Sequence, residues 1–168
     1  MAGKVILICG KICSGKSYYA NELKNIENAV ILSTDEVTYD LTNNEQGDNY
    51  DLFARRVNLY LRKKAVEIVK VGCNVILDWG FWTKGDRREI SEFFRMNDVI
   101  FEWHYIDIDD KSWYENIDER NKKILNGNGG CSFYVDDGLL RKLLSKFEEP
   151  LLEEMDVIYK VDKRGRNL

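Results

Sequence analysis

Histidine is almost missing from this chain: His104 is the only one in 168 residues. It lies between Trp103 and Tyr105 in an apolar run, a setting that suits a structural imidazole and leaves no histidine for acid–base work. Cys9, Cys13, Cys73 and Cys131 never form a C-x-x-C pair, so they offer no metal or redox spacing and fit a reducing, cytoplasmic compartment. No apolar run approaches the roughly 20 residues of a membrane span. The N-terminus has no signal-peptide pattern, so no membrane association is expected. Basic residues are not in excess: 25 Lys and Arg stand against 29 Asp and Glu, for a net charge of −4. That weighs against a protein that wraps nucleic acid through a cationic surface, although a local basic groove is compatible with it. Repeats, low-complexity tracts and linkers are also absent, and the expectation is one domain spanning 1–168.

The most informative stretch is Gly10-Lys11-Ile12-Cys13-Ser14-Gly15-Lys16-Ser17. It reads G-x-x-x-x-G-K-S, a phosphate-binding loop. Two glycines let the backbone curl so that several N–H groups face one phosphate. Lys16 can reach the β- and γ-phosphates, and the Ser17 hydroxyl can ligate Mg²⁺. Val5-Ile6-Leu7-Ile8-Cys9 upstream reads as a strand buried on both faces. Downstream, residues from Ser17 to Leu23 have helical spacing, which sets a helix N-terminus against the phosphates. Cys13, inside the loop, is either a small residue that fits or a reactive thiol.

Further short apolar strands are expected at Ala29–Ser33, Asn74–Asp78, Val99–Ile106 and Val157–Val161. Helices are expected from about Tyr50 to Val71 with Gly72 as C-cap, from about Lys84 to Met96 behind a Thr83/Asp86 capping box, from Asp110 toward Leu125, and from Asp137 to Phe147. Asn43–Asn49 and Asn126–Gly130 read as loops, the second as mobile. The tail Lys163-Arg164-Gly165-Arg166 is basic. Strands alternating with helices give an α/β fold, a doubly wound, five-stranded parallel sheet in a three-layer sandwich. Ligands of such sheets lie beyond the carboxyl ends of the strands, where the loop, Asp35 and Asp78 all fall.

Several residues there have two readings. Asp78 could hold Mg²⁺, orient a substrate or cap a turn. Arg87 and Arg88, at the start of a helix, could bind an anionic substrate or sit on the surface. Trp79, Phe81 and Trp82 could stack on a flat ligand or fill the space between helix and sheet.

Gly10–Ser17, Ser33-Thr34-Asp35-Glu36-Val37, Val75-Ile76-Leu77-Asp78, Asp86-Arg87-Arg88, Glu119-Arg120-Asn121 and Phe147-Glu148-Glu149-Pro150 together resemble the predicted-kinase branch of P-loop proteins. That branch includes the 5′-hydroxyl kinase domain of polynucleotide kinases, zeta toxins and chloramphenicol phosphotransferase. The resemblance implies an ATP- and Mg²⁺-dependent kinase with a small helical lid, here around residues 112–130. It makes Asp35 the general base, where a helix cap is the alternative, and Arg120 the lid arginine that neutralises the moving phosphoryl group. The chain departs from the pattern in two respects. Lys122 and Lys123 stand where a second lid arginine is common, and Thr38 stands where polynucleotide kinases carry a phosphate-gripping arginine. The expectation is therefore phosphoryl transfer to the hydroxyl of a small-molecule acceptor. The alternatives are a polynucleotide 5′-hydroxyl kinase and an ATP-binding module without phosphotransfer.

Overall fold

All five residues of β1 (Val5–Cys9) are completely buried. A computed structural model, which describes residues 2–43, 47–130, 132–162 and 165–166, places this strand at the centre of the sheet. Side chains alternate along a strand. Val5, Leu7 and Cys9 accordingly join one core, and Ile6 and Ile8 the core on the opposite face. The first core is closed by α3 (Tyr50–Lys70) and α4 (Lys84–Met96). The second is closed by α1 (Lys16–Ile26) and α5 (Asp110–Leu125). This is the three-layer sandwich expected from the alternation of elements.

The remaining strands are β2 (Ala29–Ser33), β3 (Asn74–Asp78), β4 (Phe101–Ile108), β5 (Val157–Asp162) and β6 (Gly165–Arg166). Their order is β2-β3-β1-β4-β5-β6. The first five in that order run parallel, as expected. The sixth adds a two-residue antiparallel edge to β5, for which the basic tail carries no apolar pattern.

Two differences from the expected elements have local causes. β4 starts at Phe101 rather than Val99 because the Val99 N–H closes the end of α4, donating to the Phe94 carbonyl at 3.0 Å. A further helix, α2 (Thr34–Thr42), follows β2 directly. Its N-cap is Ser33, whose hydroxyl accepts from the Glu36 N–H at 3.3 Å. Capping is thus done by Ser33, and Asp35 is not needed for it. The Thr83/Asp86 capping box of α4 is formed in both directions. α6 (Asp137–Lys146) ends before Pro150. Of the two loops, 47–49 forms a 3-10 turn, whereas 44–46 lies outside the described residues, as do Cys131 and the tail's Lys163 and Arg164. Among the described residues, no helix is long and apolar enough to cross a membrane.

Candidate active site

The phosphate-loop motif folds around its two glycines. Gly10 has φ 154°, and a Cβ there would lie 2.8 Å from Ser14 Oγ and 3.0 Å from the Ile106 carbonyl oxygen. Gly15, at φ 99°, is the N-cap of α1, and a Cβ there would point into open space. The loop is therefore closed on the Gly10 side and open on the Gly15 side, which is the side a phosphate can enter. Lys16 Nζ donates to the carbonyls of Gly10 at 3.0 Å and Lys11 at 2.7 Å, and lies 5.4 Å from the centre of the Trp82 ring. Burial lowers the pKa of this ammonium, and the Asp78 carboxylate is the main opposing influence.

Strand register brings the carboxylates together. Ser33 of β2 pairs with Asp78 of β3 at the carboxyl edge of the sheet, so Asp35 lies two residues beyond the end of β2. The Ser17 hydroxyl lies close enough to Asp78 to favour its ionised form. Burial pushes the Asp78 pKa up, opposed by that hydroxyl and by the Lys16 charge. Asp35 is exposed, and the Tyr50 hydroxyl donates to it at 3.2 Å. A hydroxyl bond from Thr34 to Asn58 ties α2 to α3 beside this pair.

One face of α5 holds the back of the loop. Trp113 Nε1 donates to the Ile12 carbonyl at 2.6 Å, and Asn116 Nδ2 donates to the Cys13 carbonyl at 2.9 Å. Arg120 completes the row, with Nη1 3.6 Å from the Cys13 sulfur and Nε donating to the Phe133 carbonyl at 3.1 Å. Residues three and four apart share a helix face, so positions 113, 116 and 120 form one stripe. Asn121 then clasps Val135 with bonds in both directions, each 2.8 Å.

These elements surround a cavity of about 1100 Å³ that contains Ile12, Cys13, Gly15, Lys16 and Ser17, with Asp35, Asp78 and Arg120 in its walls. Single-ligand pockets usually measure roughly 300–1,000 Å³, so this volume leaves room for a nucleotide and a second molecule. The other loop residues face away. Ser14 is fully buried, the Gly10 and Lys11 carbonyls accept from Lys16, and the Lys11 ammonium lies 3.6 Å from Asp110.

On the acceptor side the sequence reading holds only in part. Trp79 touches the cavity but is only 7% exposed, stacked on Phe81 at 5.5 Å and donating from its indole to the Leu32 carbonyl at 3.0 Å. It is mainly core, and Trp82 is the aromatic that meets Lys16. Arg87 and Arg88 do not line the cavity at all. Arg87 is buried with Nη1 on the Phe81 carbonyl at 3.2 Å, and Arg88 pairs with Glu92 at 2.8 Å. The wall is formed instead by Asp51, Arg55, Asn58 and Arg62 of α3. A signal for it existed: Arg55, Asn58 and Arg62 repeat at helical spacing beside the apolar stripe of Val57, Leu61 and Ala65. Thr38 is completely buried, so that position presents nothing to the cavity. His104 is buried too, its Nδ1 2.8 Å from the Tyr19 hydroxyl, and burial lowers its pKa.

A model of the AAA domain family, AAA_33, matches residues 5–150. The chain belongs to that family. Its fold is that of P-loop kinases. The Mycobacterium tuberculosis APS kinase CysC, solved in complex with AMPPNP and APS, superposes with a TM-score of 0.68 and 15% identity, covering 96% of this chain and 90% of that one. A gluconokinase from Sinorhizobium meliloti 1021 gives 0.62 and 12% identity, over 96% of this chain and 84% of that one. A chain of the Pnkp1/Rnl/Hen1 RNA repair complex gives 0.63 and 16%, over 86% of this chain and 44% of that one. Comparison with the curated proteins returns no match. At these identities the AAA domain shares a kinase fold with its neighbours, and the reaction has to be argued from the site.

Proposed function

We propose that this AAA domain is an ATP-dependent kinase that moves the γ-phosphoryl group to a hydroxyl of a small-molecule acceptor. One observation carries the reading: Asp35, exposed and held by Tyr50, shares a cavity with Lys16, Ser17 and Arg120. A nucleotide switch needs the phosphate loop but has no use for a carboxylate free to take a proton opposite it. The APS kinase and gluconokinase neighbours, named for small-molecule substrates, support the same reading. Thr38, buried where a phosphate-gripping arginine would be needed, disfavours a polynucleotide 5′ end.

ATP would bind with its phosphates on the loop N–H groups and the Gly15 side, where no side chain fills the cradle. The bonds Lys16 makes to the Gly10 and Lys11 carbonyls would be exchanged for phosphate oxygens. Asp35 would accept the proton of the acceptor hydroxyl as its oxygen bonds to the γ-phosphorus and the β–γ bridging P–O bond breaks. That leaves ADP, a phosphorylated acceptor and a protonated carboxyl that releases its proton to water. Arg120, already beside Cys13, would meet the charge on the transferring group. The residues fit Mg²⁺ as well, because Ser17 and Asp78 set a hydroxyl and a carboxylate side by side. Bound there, the ion would neutralise phosphate charge.

The lid proposed at 112–130 is narrower in its moving part. Trp113 and Ile117 are buried in the core, so closure would be confined to the residues after Asn121.

Incubation with γ-labelled ATP and a panel of hydroxylated metabolites and antibiotics, plus a 5′-hydroxyl oligonucleotide, tests the proposal. Label on a small molecule, lost in the Asp35→Asn variant, is the expected result. Label on the oligonucleotide alone would replace the acceptor class. Tight ATP binding with no transfer to any acceptor would favour the non-catalytic module.

A further inference from the structure

α4 segregates its charges. Asp86 and Glu89 face the active-site cavity, whereas Lys84, Arg87, Arg88 and Arg95 line a separate cavity of about 290 Å³ between α4, Trp103 of β4 and Glu154-Met155. Their positions fall three, four and seven residues apart, on one face of the helix. Glu154 is the single carboxylate in this lining, and it approaches Lys84 at 3.9 Å.

Arg87 is the unusual member. It is 5% exposed, and among the described residues no carboxylate lies within ion-pair distance of it. Its Nη1 donates to the Phe81 carbonyl at 3.2 Å, and its Nε is buried with no partner. A buried cation without a counter-charge is costly, and the structures that keep one normally pair it. Here three of the side chains that line the cavity, Lys84, Arg88 and Arg95, repeat its sign, and the one carboxylate, Glu154, approaches Lys84 and not Arg87. A guanidinium offers two parallel donors that match a phosphate, and Lys84 and Arg95 are exposed at the rim.

We infer that this cavity is a binding site for a phosphate-type dianion, distinct from the ATP loop. Its volume, against roughly 30 Å³ for one water molecule in the liquid, has room for the ion with its first waters or for the head of a phosphomonoester. A neutral or cationic ligand head would leave the Arg87 charge unmet, so charge is the selecting feature. The site adjoins the active cavity through one bond, that from Arg87 to the Phe81 carbonyl, and Phe81 lines the other cavity.

The test is calorimetric titration of the full chain with inorganic phosphate and with glycerol phosphate, followed in parallel by tryptophan fluorescence, since Trp103 lies in the wall. Phosphate also suits the loop, so the two sites must be separated. The Lys16→Ala variant is expected to retain one phosphate-binding event. Adding Lys84→Ala and Arg95→Ala, both at exposed positions, is expected to raise the Kd of that event at least tenfold. Arg87→Lys, which keeps the charge but loses the fork, is expected to weaken it as well. Tighter binding of glycerol phosphate would assign the site to a monoester, and equal binding to the free ion. Binding that disappears with Lys16→Ala alone, or that is unchanged by the Lys84/Arg95 pair, would overturn the inference.

Discussion

Asn116 and Cys13 meet through one hydrogen bond, in which the Asn116 amide donates to the Cys13 carbonyl at 2.9 Å. Cys13 has φ 58°, a left-handed conformation that costs an L-residue about 1–2 kcal/mol. The loop keeps that conformation with help from outside. Trp113 does for the Ile12 carbonyl what Asn116 does for Cys13, so α5 satisfies two outward-facing acceptors of the loop. Holding a binding loop in its bound shape beforehand lowers the ordering cost of binding.

Asn116→Ala removes that support without touching a group proposed to contact phosphate. A typical hydrogen bond contributes about 0.5–1.5 kcal/mol, so the Kd for ATP should rise about 2- to 12-fold with little change in melting temperature. Titration calorimetry checks it. Unchanged affinity would mean that the loop holds itself.

Asp35→Asn keeps the shape and the Tyr50 contact but cannot take a proton. General-base catalysis is worth about 10²–10⁴-fold, and the loss should fall on kcat, with ATP affinity nearly intact. Tyr50→Phe removes only the hydroxyl that orients Asp35, and a loss of about 2- to 12-fold is expected. Equal losses in the two variants would point to orientation, and not proton transfer, as the role of Asp35.

The nucleotide side was legible because its chemistry is local. Eight consecutive residues specify the loop, and the strand before it and helix after it are set by their own apolar periods. The acceptor side is assembled from distant elements, and local pattern says less about it. Arg87 and Arg88 are adjacent to the aromatic cluster in sequence, yet the helical period turns them to the far side of α4, away from Asp86 and Glu89. Trp79 follows Asp78 directly, yet strand alternation sends it into the core. Arg55, Asn58 and Arg62 reach the site from α3, and nothing local says that this face of α3 lies opposite Asp35. The short bond between Thr34 and Asn58, which makes that juxtaposition, joins residues 24 apart.

Thr38 tests whether its position belongs to the site or to the core. It is fully buried, and among the described residues its hydroxyl has no hydrogen-bond partner. An unpaired buried hydroxyl carries a desolvation penalty of about 1–3 kcal/mol, so Thr38→Val should leave the protein as stable or raise its stability by up to about that amount. Thr38→Arg should fail to fold, because a lone guanidinium would be buried. Thermal melts check both. A soluble Thr38→Arg variant that gains activity on a 5′-hydroxyl oligonucleotide would place the side chain in the cavity after all.

Asp78 sets stability against function. Burial raises its pKa above the ordinary carboxylate value, more than the Ser17 hydroxyl and the Lys16 charge lower it. A carboxyl whose folded pKa is raised favours the fold below its unfolded pKa and loses that contribution as pH rises through the folded value. At neutral pH the ionised group therefore burdens the nucleotide-free protein. Asp78→Asn keeps an acceptor for Ser17 and removes the charge, so its melting temperature should exceed that of the parent at pH 7. At this chain length 1 kcal/mol corresponds to about 2–4 °C, and the gain should lie within a few degrees. The difference should close in acid, where the parent is protonated as well. Over the same series, the affinity for ATP with Mg²⁺ should fall toward the metal-free value if Asp78 helps to hold the ion. A variant that melts lower than the parent by the same margin at both pH values would mean that the buried charge does not burden the fold at this position.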